Sequence, residues 1–359
     1  MHWIAFSAAC LALILARLLR APGRSGLLTG LGSFALALLA TLFVVRMITV
    51  PADITRPTDY DAFINHALDQ AEAEPGTPIV LFVGASYSRN ALDDEKLTTD
   101  LRARGYPHRA INLSLEGASL QERDAHLRAF VAALGRAPDV VFIEAAREFD
   151  EDPAYVFRVA KFSDRAIEQF SPDASYWAIK GLATGQCDGL AACGKALALL
   201  GVHSVMNVAN VGLLATGESR SEIDARPSFD PQTDPRDTFT LSNKEIRQAL
   251  NAGEGFTPGE GPAWARLFRA NQRDWMAEQG VRRIAYYYPP VLPAEERSYV
   301  AGLCAGELSE FPCIAPVDAA LLSALRGQVW YDEKHLLQDG ADTYTDWLAD
   351  QIDRWGALK

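Results

Sequence analysis

Long basic runs are missing from this chain of 359 residues, whose net charge is −12. A nucleic-acid partner calls for a basic stripe or patch, so nucleic acid is not expected. Cysteine is scarce, with five in all. None of them joins a histidine at zinc-like spacing, so no metal site is expected, and no cofactor is expected either. There is no internal repeat and no long low-complexity tract, which excludes a repeat array. Charged residues make up only 22% of the chain and hydrophobic ones 49%. That composition supports a sizeable core, in one large domain or two small ones.

Charge is also absent from residues 27–45, a stretch of the length a membrane span needs. A shorter apolar run occupies residues 3–16, with Arg17 and Arg20 placed to snorkel from its end. Three arginines and Pro22-Gly23 lie between the two runs. The positive-inside tendency puts that loop in the cytoplasm and everything after about residue 50 on the exported side. Residues 1–50 are therefore expected to form a two-span hairpin in a bacterial inner membrane. The alternatives are a single span or a signal peptide, which wants its positive charge before the apolar run rather than after it.

Cysteine usage agrees with export. Cys10 falls in the first span. Of the three pairings open to the other four, sequence proximity favours Cys187 with Cys193 and Cys304 with Cys313, as an oxidising compartment permits. Four free buried thiols are the alternative.

Residues 51–77 read as a linker with a lead-in helix at 60–74. Residues 78–359 then alternate strand-length apolar runs with helices. Strands are expected at Ile79–Val83, 110–115, Val140–Glu144, 283–288 and, weakly, 312–315. Helices are expected at 93–105, 119–134, 264–279 and 343–355. Such alternation implies a parallel sheet covered on both faces. Residues 150–260 break the pattern and read as a helical insertion that shapes the site's edge.

In an open parallel sheet, ligands bind beyond the carboxyl ends of the strands. Ser86 stands there, after the first strand and the tight turn at Gly84-Ala85. Taken alone, Ser86 or Ser88 reads equally as a helix cap. Near the other end of the chain, Asp332 precedes His335 by three residues. A serine hydroxyl needs a base to take its proton, and histidine serves at neutral pH. A carboxylate on the other ring nitrogen fixes the tautomer and stabilises the imidazolium. The alternatives are a surface aspartate with a helix-capping histidine, or a metal pair lacking further ligands. His66, His108, His126 and His203 are isolated and read as packed or solvated. Tyr286, Tyr287 and Tyr288 alternate along a strand and read as core on one face, with Tyr287 or Pro289-Pro290 able to line the site.

Gly84-Ala85-Ser86 after an apolar strand, with Asp332-x-x-His335 before the last helix, resembles the SGNH (GDSL-type) hydrolase superfamily. The resemblance implies a three-layer α/β/α sandwich with a five-stranded parallel sheet, in the flavodoxin-like manner. It implies Ser86 as nucleophile, His335 as general base and acid, and Asp332 as its orienter. The run Asn112 to Ser119 looks like the second family block and makes Gly117 an oxyanion donor. The third block normally supplies an asparagine after strand three. This chain has Glu144-Ala145-Ala146-Arg147-Glu148 there, so Arg147 is left as a candidate donor or anion binder, and Arg89 as a candidate substrate contact. An ionised Glu148 cannot donate.

The Gly-Ala-Ser-Tyr-Ser-Arg run and the strand ending in Tyr288-Pro289-Pro290 look like the membrane-anchored members that acylate envelope polymers, such as those of teichoic-acid D-alanylation and alginate acetylation. The expected activity is serine-based O-acyl (acetyl) transfer to a cell-envelope polysaccharide, from an acyl donor delivered by an integral-membrane acyltransferase. The alternatives are an esterase or lipase that hydrolyses acyl esters, and a catalytically silent envelope-assembly or binding protein of the same fold.

Overall fold

The computed structural model describes residues 24–49, 59–155, 172–186, 189–208, 223–252, 255–356 and 358. Among them are thirteen helices and five strands. In chain order they are α1 (Arg24–Thr49), α2 (Asp59–Ala73), β1 (Ile79–Val83), α3 (Ser86–Ala91), α4 (Asp94–Ala103), β2 (Arg109–Asn112), α5 (Leu120–Leu134), β3 (Val140–Glu144), α6 (Arg147–Glu151), α7 (Pro172–Ala183), α8 (Leu190–Val208), α9 (Asn243–Asn251), α10 (Ala263–Gln279), β4 (Arg283–Tyr287), α11 (Ala294–Ala305), β5 (Cys313–Ile314), α12 (Ala319–Ala324) and α13 (Gln338–Trp355).

The strands form one sheet in the order β2-β1-β3-β4-β5, and every pairing is parallel. Strand order reverses between β1 and β3, which opens a crevice at their carboxyl ends. This is an α/β architecture of the flavodoxin-like kind. The central strands are apolar on both faces because both faces are covered. Ile79, Leu81 and Val83 join a core with Leu127 and Phe130 of α5 and Trp264, Phe268 and Met276 of α10. Val80 and Phe82 point the other way, to Leu97 and Leu101 of α4 and Tyr344, Leu348 and Ile352 of α13.

Several expected elements shift. The second strand ends at Asn112 rather than residue 115, although the Leu113 and Leu115 N–H groups still bond the Phe82 and Gly84 carbonyls beyond it. The last helix starts at Gln338, immediately behind the Asp–His loop, rather than at residue 343. The three tyrosines do not share a face. Tyr286 and Tyr288 fill one core and Tyr287 the other, as the two-residue period of a strand requires.

Cys304 and Cys313 form a disulfide, joining the end of α11 to β5. Cys187 lies outside the described residues, and so does the pairing expected for it. The expected first span, residues 3–16, also lies outside them. Among the described residues no helix is long and apolar enough to cross a membrane. In α1 the side chains of Leu27, Leu42, Phe43 and Val45 are not described.

Candidate active site

Ser86 is the first residue of α3, one step past the turn that leaves β1. It does not cap that helix. Ala85 is the N-cap, and no side chain caps it. The Ser86 hydroxyl instead lies 2.9 Å from His335 Nε2. On the far side of the ring, His335 Nδ1 is 2.8 Å from Asp332 Oδ1. Residues 249 positions apart in sequence are thus joined in one hydrogen-bonded chain.

The Asp–His loop organises itself. Asp332 Oδ1 also accepts the backbone N–H groups of Lys334 (2.8 Å) and His335 (2.9 Å). Burial pushes the Asp332 carboxyl up, but its hydrogen bond to His335, the His335 charge and these two N–H groups outweigh that and hold it below the ordinary value. A carboxylate kept ionised in this position fixes Nδ1 as the protonated nitrogen, leaving Nε2 free to take the serine proton. The loop is anchored behind by Trp330, fully buried, whose indole N–H donates to the Leu325 carbonyl at 2.9 Å. Gly340 is needed there for space, since a Cβ would lie 2.6 Å from the Val329 carbonyl oxygen.

The nucleophile turn is held from below. Glu144, the last residue of β3, is fully buried, and its Oε2 accepts the N–H of Ala85 (2.9 Å), the N–H of Ser88 (3.3 Å) and the Ser88 hydroxyl (2.5 Å). Tyr287 donates its hydroxyl to Ser88 Oγ at 2.7 Å. Gly84 makes this closeness possible: a Cβ there would sit 2.6 Å from Ser88 Cβ and 2.7 Å from Glu144 Oε2.

Gly117 occupies a left-handed turn (φ 54°) after β2. Two residues earlier, the Leu115 N–H bonds the Gly84 carbonyl at 3.1 Å, tying this turn to the nucleophile turn. Neither the Ser86 N–H nor the Gly117 N–H donates to another described group.

The remaining two candidates are committed elsewhere. Arg147 reaches along its own helix to Glu151 (2.8 Å). Arg89 bonds the Ser228 carbonyl and pairs with Glu116 and Asp230 at 3.1 and 3.0 Å. That makes it a clamp on the insertion rather than an open contact. Where the resemblance led to an asparagine, the chain supplies Glu148. It accepts the Tyr87 hydroxyl (2.5 Å) and the Lys334 ammonium (3.0 Å). Burial opposes ionisation of Glu148, but these two partners prevail and hold its carboxyl below the usual value. Tyr87 also lays its ring 5.3 Å from the His335 ring, walling one side of the base.

Sequence reasoning missed Glu144, Lys334 and the exit of the insertion. Residues 228–236 run across both halves of the site. Asn90 donates to the Asp230 carbonyl (2.6 Å), Gln338 N–H to the Gln232 carbonyl (2.9 Å), and Arg236 N–H to the Tyr331 carbonyl (2.8 Å). Arg236 Nη1 lies 3.7 Å from Asp332 Oδ2. Glu144 left a signal in the sequence, a charge ending an otherwise apolar central strand. The strap left none, being an irregular polar segment.

The isolated histidines stay out of this arrangement. His126 is fully buried, its ring nitrogen 3.2 Å from the Tyr60 carbonyl, and burial lowers it to about 3, so it is a neutral core residue. Burial also lowers His66 and His108. The side chain of His203 lies outside the described residues. No group of three metal-ligating side chains occurs among the described residues. Two cavities, of about 580 and 260 Å³, lie away from the triad. One is at the amino-terminal edge of the sheet around Pro78, Asp139 and Arg282, the other between residues 255–260 and α11. Compared with protein-family models and with curated proteins, the chain matches none.

Proposed function

We propose that this protein is a serine acyl-transfer enzyme of the SGNH type, working through an acyl-enzyme on Ser86. The observation that carries this reading is the chain of contacts from Ser86 Oγ to His335 Nε2 and from His335 Nδ1 to Asp332 Oδ1, at 2.9 and 2.8 Å. Ser86 Oγ attacks the acyl carbon while His335 Nε2 takes its proton. The oxyanion that forms meets the N–H groups of Ser86 and Gly117. Collapse expels the donor's alcohol or thiol, protonated by His335. A second hydroxyl then attacks the acyl-enzyme, again with His335 as base, and releases Ser86.

The second hydroxyl belongs to water in an esterase and to a sugar in a transferase. A polymeric sugar of the cell envelope is favoured by the disulfide that joins Cys304 to Cys313, as suits an exported domain. Membrane anchoring and an integral-membrane acyl donor belong to the same reading. They rest on the charge-free run of residues 27–45 in the sequence.

The test is fluorophosphonate labelling of the full chain. Labelling that disappears in Ser86→Ala supports the reading, and absence of labelling in the wild-type protein points to the silent binding protein. Ester turnover with and without an acceptor glycan then separates transferase from hydrolase.

A further inference from the structure

We infer that Glu144, acting with Arg123 and Ser88, is the positioning device that sets Ser86 for attack. The inference rests on the reading of Ser86 as nucleophile and adds to it residues that touch neither substrate nor the reacting atoms.

Three donors converge on a single oxygen, Glu144 Oε2: two backbone N–H groups and a hydroxyl, from the residues immediately before and two after Ser86. An ionised carboxylate oxygen suits this convergence, because it accepts without donating and its bonds to donors are roughly twice as strong as neutral ones. The Ser88 hydroxyl donates its hydrogen bond to Glu144 and accepts one from Tyr287. The turn is thereby fixed by strands β3 and β4 together.

Arg123 supplies the counter-charge. It is 2% exposed and Glu144 is 0% exposed. Its Nη1 donates to the Glu144 carbonyl at 2.9 Å and lies 3.5 Å from Oε1. Its guanidinium sits 4.6 Å from the centroid of the Phe149 ring. A buried carboxylate is costly without such a partner. A bare negative charge behind Ser86 would also oppose the oxyanion that must form beside it.

The geometry divides the N–H groups around the nucleophile. Those of Ala85 and Ser88 are tied down to Glu144, and that of Ser86 is left without an internal acceptor. Holding the first two sets the direction of the third, and with it the hydroxyl's approach to His335. Displacing a reacting group by about 1 Å costs about 100-fold in rate. The role is therefore visible in the acylation step rather than in binding.

The test is the kinetics of fluorophosphonate labelling on the full-length wild type, Glu144→Gln and Ser88→Ala. The inactivation rate at saturation, the probe's affinity and the thermal midpoint are measured for each. The expected result is a saturating rate lowered about 10- to 100-fold in Glu144→Gln and several-fold in Ser88→Ala, with affinity nearly unchanged at temperatures where both remain folded. A merely structural role would lower the thermal midpoint and leave the saturating rate alone, which would overturn the inference. If Glu144→Gln does not fold, Ser88→Ala decides, because it keeps the Glu144–Arg123 pair. A wild-type rate in that variant would overturn the inference. Absence of labelling in the wild type would overturn the nucleophile reading and this inference with it, whereas labelling with unchanged rates in both variants would overturn this inference alone.

Discussion

The two loops that meet at the site are built on opposite plans. The Asp–His loop is local. One carboxylate oxygen gathers the ring nitrogen and two N–H groups of residues at most three positions away. The nucleophile turn is non-local. Its conformation depends on Glu144 from β3, Tyr287 from β4 and, behind Glu144, Arg123 from α5. The first loop is partly exposed, with about a fifth of the Asp332 and His335 side chains open to solvent, while the carboxylate under the second is wholly buried. His335 is thus oriented chiefly by residues close to it in sequence, and Ser86 by the strands of the sheet.

The sharpest way to probe the local half is Asp332→Asn. It removes the charge and reverses the preferred ring tautomer while keeping the shape. Acyl turnover should fall by about 10⁴-fold with little change in stability, measured as initial rates beside a thermal melt. Activity near wild type would break the triad assignment.

Gly84→Ala probes the non-local half. The added methyl meets Ser88 Cβ and Glu144 Oε2 inside ordinary contact distance. Overpacking of this kind costs about 1–3 kcal/mol, readable by chemical denaturation, and labelling of Ser86 should slow as the turn shifts. A neutral outcome in both measurements would show that the turn yields more readily than its contacts imply.

Arg236→Ala is expected to be milder. The ion pair with Asp332 is long at 3.7 Å, and the Arg236 side chain is 58% exposed. Exposed pairs contribute about 0–1 kcal/mol, so turnover should change by no more than about fivefold. A larger loss would mean that the strap, and not only the loop's own hydrogen bonds, holds Asp332.

The last prediction concerns the pH dependence of stability and leaves turnover aside. Burial pushes the Glu122 carboxyl up to about 7, against the opposing hydrogen bonds of Ser119 and the charge of Arg123. The folded protein therefore holds this proton more tightly than the unfolded chain, whose carboxyl titrates near 4.5. Stability from this group is lost as pH rises from about 4.5 to 7 and is constant above that. Glu122→Gln removes the dependence, so its thermal midpoint should fall less than that of the wild type between pH 5 and pH 8. Identical slopes would show that Glu122 does not carry this linkage.

Much of this was legible in the residues. Strand-length apolar runs located the strands, and helical patterning located α2, α4, α5, α10 and most of α13. The spacing of Asp332 and His335 let one loop be expected to deliver both groups, because their bond is short in sequence. The ion pairs of Arg89 with Asp230 and of Arg147 with Glu151 were not announced by any short motif and came into view only with the fold.

Local patterns in the residues were enough to expect the parallel α/β sheet and to single out Ser86, Asp332 and His335, which the fold joins by hydrogen bonds, since alternation, turn glycines and short motifs are local properties. Only the tertiary structure decided what supports Ser86. A glutamate ending a strand, an arginine on a helix and a tyrosine two strands away share no local pattern. They meet because the parallel sheet brings the carboxyl ends of its strands to one edge, where buried polar groups must find one another or leave their hydrogen bonds unmade.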